Sequence, residues 1–402
     1  MKKIVQTAFI LIFSQALFAA DYFSGEAGLL ANFINTENYG FEPALKFNGF
    51  LSGQLAFSNS FSVRGEFSIQ TDDLFDEGLM KEVSSTFRFN EISATYNKSF
   101  ANVNHSFSIF KGCFESLGSE QFISRHLGVQ KYSSFLTQNY LGLNGTNVYD
   151  LYGTGLSYTL TSKRLPVCTG FVISRNYENV ENCAQLNTDI RFGFTSKALT
   201  VDALAGLGAP LYTTDDNDND VVLLIETLYF HTGVDILLGN EYSILSMLLQ
   251  GGFEYLPVKK TSRSAESYLH KDEIYLLLEG RLSGGPSKFY ISFFHIPDSK
   301  LDKMTFIDDN IGVNTRIFAD KLYTKNHEYN IGLNFMAGLK GITFANLDEI
   351  DVNENFDLKL IPFTEISLNG GLLTCALQVG ITRYANNDDE ALKLHIGYKK
   401  EL

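Results

Sequence analysis

The chain has 402 residues, 45% of them hydrophobic, with 34 Phe, 20 Tyr and no Trp, and a formal charge of −14. Lysines and arginines are scattered through this acidic background without forming a basic patch, so nucleic acid is not an expected partner. No segment reaches the roughly twenty consecutive apolar residues of a membrane-spanning helix, which leaves strands as the only route across a bilayer.

Residues 1–20 read as a secretory signal peptide: Lys2 and Lys3, an apolar run from Ile4 to Phe13, then Ala16-Leu17-Phe18-Ala19-Ala20. The run is too short for a membrane anchor, and no Cys follows it for lipid attachment. Leu17 and Phe18 stand where a small residue is expected before the cut. Cleavage removes Lys2 and Lys3, taking the charge to about −16, and leaves 21–402 as one domain with no composition break.

The first strand places Phe23, Gly25, Ala27, Leu29, Ala31 and Phe33 on one face. The second sets Leu45, Phe47, Gly49, Leu51, Gly53, Leu55 and Phe57 against Lys46, Asn48, Phe50, Ser52 and Gln54. After Ser58-Asn59-Ser60, residues 61–70 alternate without a break: Phe61, Val63, Gly65, Phe67 and Ile69 on one side, Ser62, Arg64, Glu66, Ser68 and Gln70 on the other. Such a strand spans about 33 Å at ~3.3 Å per residue, the length of a tilted crossing of a bilayer core. A polar, acidic connection over 71–84 follows. The strand over 86–98 then slips phase near Asn90-Glu91, which predicts a bulge. A short turn and a strand through Phe107, Ile109 and Lys111 lead to the longest connection, 115–146, with a helical turn predicted near 119–126.

Strands near 147–161 and 165–176 precede one that sets Leu186, Thr188, Ile190, Phe192 and Phe194 opposite Asn187, Asp189, Arg191, Gly193 and Thr195. Next come Leu199, Val201, Ala203, Ala205 and Leu207 on a strand, the acidic loop 214–220, and strands near 221–237 and 241–256. The loop 257–271 leads to Ile274, Leu276, Leu278, Gly280 and Leu282 set against Tyr275, Leu277, Glu279 and Arg281. Strands near 286–297, 308–322, 327–339, 354–368, 371–385 and 390–400 complete the chain, with Asn369-Gly370 a two-residue hairpin signal. The pattern gives about eighteen strands, or sixteen if two are misread, and connections alternate long and short, as in outer-membrane barrels with external loops and short periplasmic turns. A secreted sandwich or propeller also alternates, but its strands rarely exceed about ten residues.

The fold class expected is therefore all-β, a single transmembrane antiparallel up-and-down barrel. In this architecture the chain resembles bacterial porins across its whole mature length, and its composition resembles that of the divergent barrels of spirochaetes. No family motif carries the resemblance. Porins end on an aromatic residue within an assembly signal; here the end is Gly397-Tyr398-Lys399-Lys400-Glu401-Leu402, leaving Tyr398 to serve in recognition by the barrel-insertion machinery. The resemblance implies an outer-membrane location, outer-membrane lipids as surroundings and small polar solutes as cargo.

A barrel of this size has a backbone diameter of roughly 35 Å for strands ~4.8 Å apart, so its lumen holds water, a loop or a plug. Nothing before the first strand is long enough for a plug. The inward phase comprises Lys46, Arg64, Glu66, Arg88, Asp189, Arg191, Asp202, Glu254, Glu279, Arg281, Arg316 and Arg383, since charges facing lipid cost several kcal/mol each. The neighbours Arg64/Glu66, Asp189/Arg191 and Glu279/Arg281 either neutralise one another or set up a transverse field at a constriction. Loop 115–146, with Glu115, Glu120, Arg125, His126 and Lys131, is the candidate constriction if it folds inward, and an exposed loop otherwise. Phe50, Phe110, Tyr275, Tyr290 and Phe294 also face inward, as a solute-guiding ladder or as packing for an inserted loop.

Asp215, Asn217, Asn219 and Glu226 fall at positions 1, 3, 5 and 12 of a calcium-loop pattern. Asp220 replaces the glycine of the sharp turn and strands replace the flanking helices, so a solvated acidic loop is the default. Cys113, Cys168, Cys183 and Cys375 have no paired spacing; Cys113 and Cys183 fall near external strand ends, and no disulfide framework follows. No metal, cofactor or catalytic constellation is read, and an enzyme is not expected. The function expected is passive passage of small polar solutes. The alternatives are a surface barrel acting as adhesin or structural element through its external loops, and a transporter of hydrophobic substrates. Oligomeric state and solute identity are not written in the sequence.

Overall fold

In a computed structural model, which describes residues 22–35, 43–75, 85–137, 147–177, 184–211, 213–214, 220–221, 228–240, 243–259, 269–301, 304–324, 327–386 and 389–402, the chain forms one antiparallel sheet of 18 strands. The strands begin with β1 (Tyr22–Asn35), β2 (Pro43–Ser58), β3 (Phe61–Thr71), β4 (Ser85–Phe100) and β5 (Val103–Cys113). Four more follow: β6 (Tyr152–Ser162), β7 (Val167–Asn176), β8 (Gln185–Thr195) and β9 (Leu199–Pro210). A small hairpin, β10 (Thr213–Thr214) with β11 (Asp220–Val221), lies outside the main sheet. The wall resumes with β12 (Leu228–Leu238), β13 (Leu245–Lys259), β14 (Tyr275–Gly284), β15 (Ser287–His295) and β16 (Ile311–Tyr323). It ends with β17 (Glu328–Leu339), β18 (Phe356–Leu368), β19 (Gly371–Gly380) and β20 (Leu392–Glu401). Short helices α1 (Gln121–Leu127), α2 (Asp298–Leu301), α3 (Val352–Asn355) and α4 (Ile381–Asn386) sit in the connections.

Each wall strand pairs with its sequence neighbours, and β1 pairs with β20 from Glu26↔Glu401 to Ile34↔Lys393, so the sheet closes without an edge. This is the expected porin-like, up-and-down architecture. Outward side chains such as Ile109, Leu156, Ile190 and Ile317 are exposed all around the wall, while the alternate residues are mostly buried or half-buried. An exposed apolar belt of this extent has a physical explanation in lipid and none in water.

Local chemistry sets the register. At Asn369-Gly370 both residues take positive φ, 52° and 75°, as a two-residue hairpin turn requires. The phase slip on β4 is the predicted bulge: Glu66 pairs with Glu91 and Phe67 with Phe89, leaving Asn90 unpaired. Gly112, at φ 103°, faces the bulge so closely that a Cβ would lie 2.3 Å from the Asn90 carbonyl oxygen. One strand ends earlier than expected. β19 stops at Gly380 and continues as α4, so Arg383 is helical and sits at the loop end of the wall instead of within a strand reaching 385.

The barrel carries two apolar clusters on its inner side. The larger joins Phe114, Leu117, Phe122, Ile123, Tyr132 and Leu136 of the connection after β5 to inward residues of β5, β7, β9, β12, β13, β14, β15 and β17. In the smaller, Phe306 from the connection after β15 meets Leu30, Ile361, Phe363 and Ala376. Two connections therefore fold into the lumen.

Candidate functional site

The long connection enters over the inner face of β7 and β8, where glycines make room for it. A Cβ on Gly170 would lie 3.1 Å from Phe122, and one on Gly193 would lie 3.1 Å from Ile123. Gly233 plays the same part under Leu117 and Val148, each 2.7 Å from its added Cβ, and Gly252 under Val148 at 2.7 Å. The helix α1 on this seat starts after Glu120 and stops at Gly128, both left-handed, with Arg125 and His126 in its last turn, where cations suit the carbonyl end.

Charged side chains then fasten the loop to the wall. Arg191 is buried on β8 and grips Asp202 of β9 through Nε (2.8 Å) and Nη2 (2.7 Å). It also donates to the Glu115 carbonyl and, at 3.4 Å, to that of Ser116, with the Phe122 ring 4.8 Å from its guanidinium. Glu115 takes His126 at 3.1 Å and Arg125 at 3.5 Å. Burial opposes ionisation there, yet His126, Arg125 and Arg191 together hold its carboxyl down at about 2.

Arg125 also reaches Glu91 on β4 at 2.6 Å, and Glu91 lies 3.4 Å from Arg64, which lies 3.5 Å from Glu66. At the far end of the loop, Glu120 accepts the Tyr132 amide, and burial pushes its carboxyl up to about 7. Arg281 bridges the Tyr132 carbonyl (2.8 Å) and Glu279 (2.7 Å), while Ser134 and Ser292 donate to the other Glu279 oxygen. Arg316 lies between Phe135 at 4.0 Å and Phe363 at 3.8 Å.

The second inward connection is tied to the first. Lys300, on α2, donates to the Asn147 carbonyl at 2.9 Å, to Asp150 at 3.4 Å and to Glu254 of β13 at 2.5 Å. Phe135 stacks on Phe306 with ring centroids 4.6 Å apart. Asp308, Asp309 and Asp357 converge closely enough for metal ligation. The Lys359 ammonium, however, stands among all three, and Arg383 pairs with Asp308 (2.6 Å) and Asp357 (2.8 Å). Their charge is met by the chain's own cations, so the group acts as an ion-pair knot.

Most of the residues expected to face inward occupy the inner side of the wall. Glu66, Asp189, Arg191, Asp202, Glu279 and Arg316 are buried there; Lys46, Arg64, Glu254 and Arg281 are half-buried. Arg88 stands opposite Ser68 on the inner phase and is exposed at the loop end of β4, its guanidinium 4.3 Å above the Tyr152 ring. Two expectations need correction. Arg383 belongs to the Asp308–Asp357 knot on a helix. Asp189 and Arg191 do not pair: Arg191 finds Asp202 across the ladder, and Asp189 takes His231 at 2.6 Å. Loop residues Glu115, Glu120, Arg125 and His126 lie inside the barrel, and Lys131 is exposed. The inward rings Phe110, Tyr275 and Phe294 are fully buried and pack with the loop cluster. The calcium-pattern residues Asp215, Asn217, Asn219 and Glu226, Cys183, the segment 138–146 and residues 1–20 lie outside the described residues; Cys168 and Cys375 are free thiols.

Sequence reasoning missed Glu91, Asp235, Lys300, the Asp308–Asp309–Lys359 group and the inner-face histidines. Glu91 and Asp235 stand opposite the recognised Glu66 and Asp202 in the ladder, and the inward glycines 170, 193, 233 and 252 were a signal for an inserted segment.

No family model matches the chain, and no curated protein matches it. Among solved structures, the chain is similar to Salmonella typhi OmpF in complex with daunomycin, with 10% identity, 94% of this chain and 97% of that chain covered and a TM-score of 0.41. It is also similar to a mutant of Rh. blastica porin (8% identity, 95% and 99% covered, TM-score 0.44). Pseudomonas putida OprB is a third (7% identity, 97% and 96% covered, TM-score 0.44). At this degree of likeness, the assignment rests on the chain's own features: eighteen antiparallel strands closed by β1 and β20, apolar outside and charged within.

Proposed function

We propose that the protein is an outer-membrane channel for passive diffusion of small polar solutes, narrowed by the connection 115–146. The observation that carries this reading is the uneven filling of the lumen. The inserted loops cover the inner faces from β5 to β19 and reach Leu30 of β1, whereas the charged groups Glu26 of β1, Arg64 of β3 and Lys399 of β20 keep contact with water. Glu26 is 40% exposed and pairs with Lys399, 27% exposed, at 2.6 Å; Arg64 is 26% exposed, and Lys131 of the loop is exposed too. A passage bordered by cations and carboxylates in alternation admits polar solutes of either sign. The predominantly acidic external connections favour entry of cations.

Single-channel recording of the refolded protein in a planar bilayer tests the proposal. Stable openings of porin size are expected, and removing residues 128–146 should enlarge them. A correctly folded barrel that stays electrically silent overturns the channel reading, and unchanged conductance after the deletion overturns the role of the loop.

A further inference from the structure

The outer wall carries a groove whose lining and surroundings differ at its two ends. Across β4–β7 the register aligns Tyr96 with Phe107, Phe107 with Tyr158 and Tyr158 with Phe171, all outward. The neighbouring outward row toward the loop end is Ala94, Ile109, Leu156 and Ile173. Small Ala94 stands among rings and branched chains, and a groove of about 420 Å³ opens along the two rows, bordered by Phe61 of β3. Its volume falls in the ~300–1,000 Å³ range of small-molecule sites.

Toward the turn end the chemistry changes. The next outward pair is Lys98 with His105, whose Nδ1 lies 2.8 Å from the Tyr158 hydroxyl. The turn after β6 lies against the turn after β4: the Lys163 amide donates to the Asn102 carbonyl at 2.8 Å, and Nζ to that of Ala101 at 3.4 Å. Lys98, Lys163 and Arg164 are thus gathered at one end of an apolar groove, all exposed, and residues 97–106 and 159–170 contain no Asp or Glu. Phe100 and Leu165, 71% and 64% exposed, project from the same two turns, as groups that dip into a membrane interface do.

We propose that this face binds one anionic phospholipid, an acyl chain lying in the groove and the headgroup phosphate against Lys98, Lys163 and Arg164. Three cations with no local counter-charge match a net-negative head; a zwitterionic head brings its own ammonium and gains less from them. Each basic side chain at an anionic membrane surface contributes about a fivefold preference, so the anionic lipid should be favoured by roughly tenfold or more. The site lies on the outer wall and is independent of whether the lumen conducts.

The absence of Trp from the chain makes the test direct. Phe107→Trp places a single fluorophore in the groove. Ile291→Trp places one on the outer face of β15, equally far from the turn, where the neighbouring outward residues Phe289, Leu282 and Ile317 carry no charge. Both proteins are refolded into phosphatidylcholine vesicles containing a minor fraction of brominated phosphatidylglycerol, or of brominated phosphatidylcholine. Expected is quenching of Phe107→Trp by the brominated anionic lipid well above its bulk fraction, quenching of Ile291→Trp in proportion to that fraction, and loss of the excess when Lys98, Lys163 and Arg164 are all changed to Ala. Equal quenching at the two positions overturns the proposal, as does an excess that survives removal of the three charges. A groove fluorophore that neither brominated lipid quenches also overturns it, because another protein copy then covers the face.

Discussion

Replacing Arg191 by Met tests whether the loop is fastened by charge or merely fills space. Arg191 is 3% exposed, and Asp202, which it holds by two hydrogen bonds, is 0% exposed. Without the guanidinium, the Asp202 carboxylate remains in the barrel interior with no cation, and breaking one side of a buried pair costs about 3–5 kcal/mol. The Glu115 and Ser116 carbonyls lose their donor as well, but once the loop loosens water reaches them, so their loss adds little to that figure. Denaturant unfolding of the protein folded in vesicles reads the change. The double variant Arg191→Met/Asp202→Asn removes the orphaned charge along with its partner and should recover about 2 kcal/mol or more, because exchanging a buried pair for uncharged groups is often close to neutral. A single variant within about 1 kcal/mol of the parent, or a double variant no more stable than the single, would refute the fastening argument.

Three further outcomes follow from the same geometry. Glu120 has its carboxyl raised to about 7 by burial against an unfolded value of 4.5, so its contribution is fully present below pH 4.5 and is lost as pH rises through 7. Between pH 5 and pH 8.5 the parent should lose about 3 kcal/mol more stability than Glu120→Gln, and parallel pH profiles would count against a buried acid there. Lys300→Met leaves Asp150 and Glu254 without their shared ammonium. Loss of a charged hydrogen bond worth about 1.5–3 kcal/mol should raise proteolytic cleavage within 296–310 by roughly 10- to 100-fold, and unchanged cleavage would show that the two loops are not coupled through it. Ile190→Arg, outward near the middle of β8 and 66% exposed in the parent, should cost about 2–4 kcal/mol in vesicles; no loss would mean that this face does not meet hydrocarbon.

The wall was legible in the sequence because its causes are local. Alternation fixes which side of each strand meets lipid, Asn369-Gly370 fixes a turn, and the broken phase at Asn90 fixes a bulge. The ion pairs were not legible, because they depend on register between strands. Arg191 and Asp189 share a face two residues apart, yet the ladder brings Gly193 opposite Asp202 and so places that carboxylate diagonally beside Arg191. Arg383 was misplaced for a related reason: the segment after Gly380 keeps an alternating look, but it forms a helix whose Arg383 meets Asp308 and Asp357, carboxylates from distant parts of the chain.

The inward path of the loop was left open by the sequence, but its position was recorded in departures from the polar inner phase. In a barrel of this width the outward face has one solvent, whereas the inward face has two, water or an inserted loop. Where water is the solvent, inward positions must be polar, and β1–β4 supply Glu26, Asn32, Asn48, Gln54, Arg64 and Thr95 there. Where a loop covers the wall, inward positions can be apolar without penalty, and Leu204, Leu237, Leu248, Leu277 and Met336 stand on β9, β12, β13, β14 and β17. Each of these looks like an error of phase when its strand is considered alone. Taken around the barrel they mark one continuous covered sector, and the glycines at 170, 193, 233 and 252 mark where side chains of the loop press closest to the wall. The same contrast accounts for the charges. In the covered sector Arg191 and Lys300 are buried and fully engaged with carboxylates and carbonyls, since an unpaired charge there would be costly. In the less covered sector Arg64 and Glu26 keep longer or more exposed pairings, as the proposed passage requires. A single rule, that the inner wall takes the polarity of whatever it touches, therefore separates the side chains that hold the loop from those that stay in contact with water.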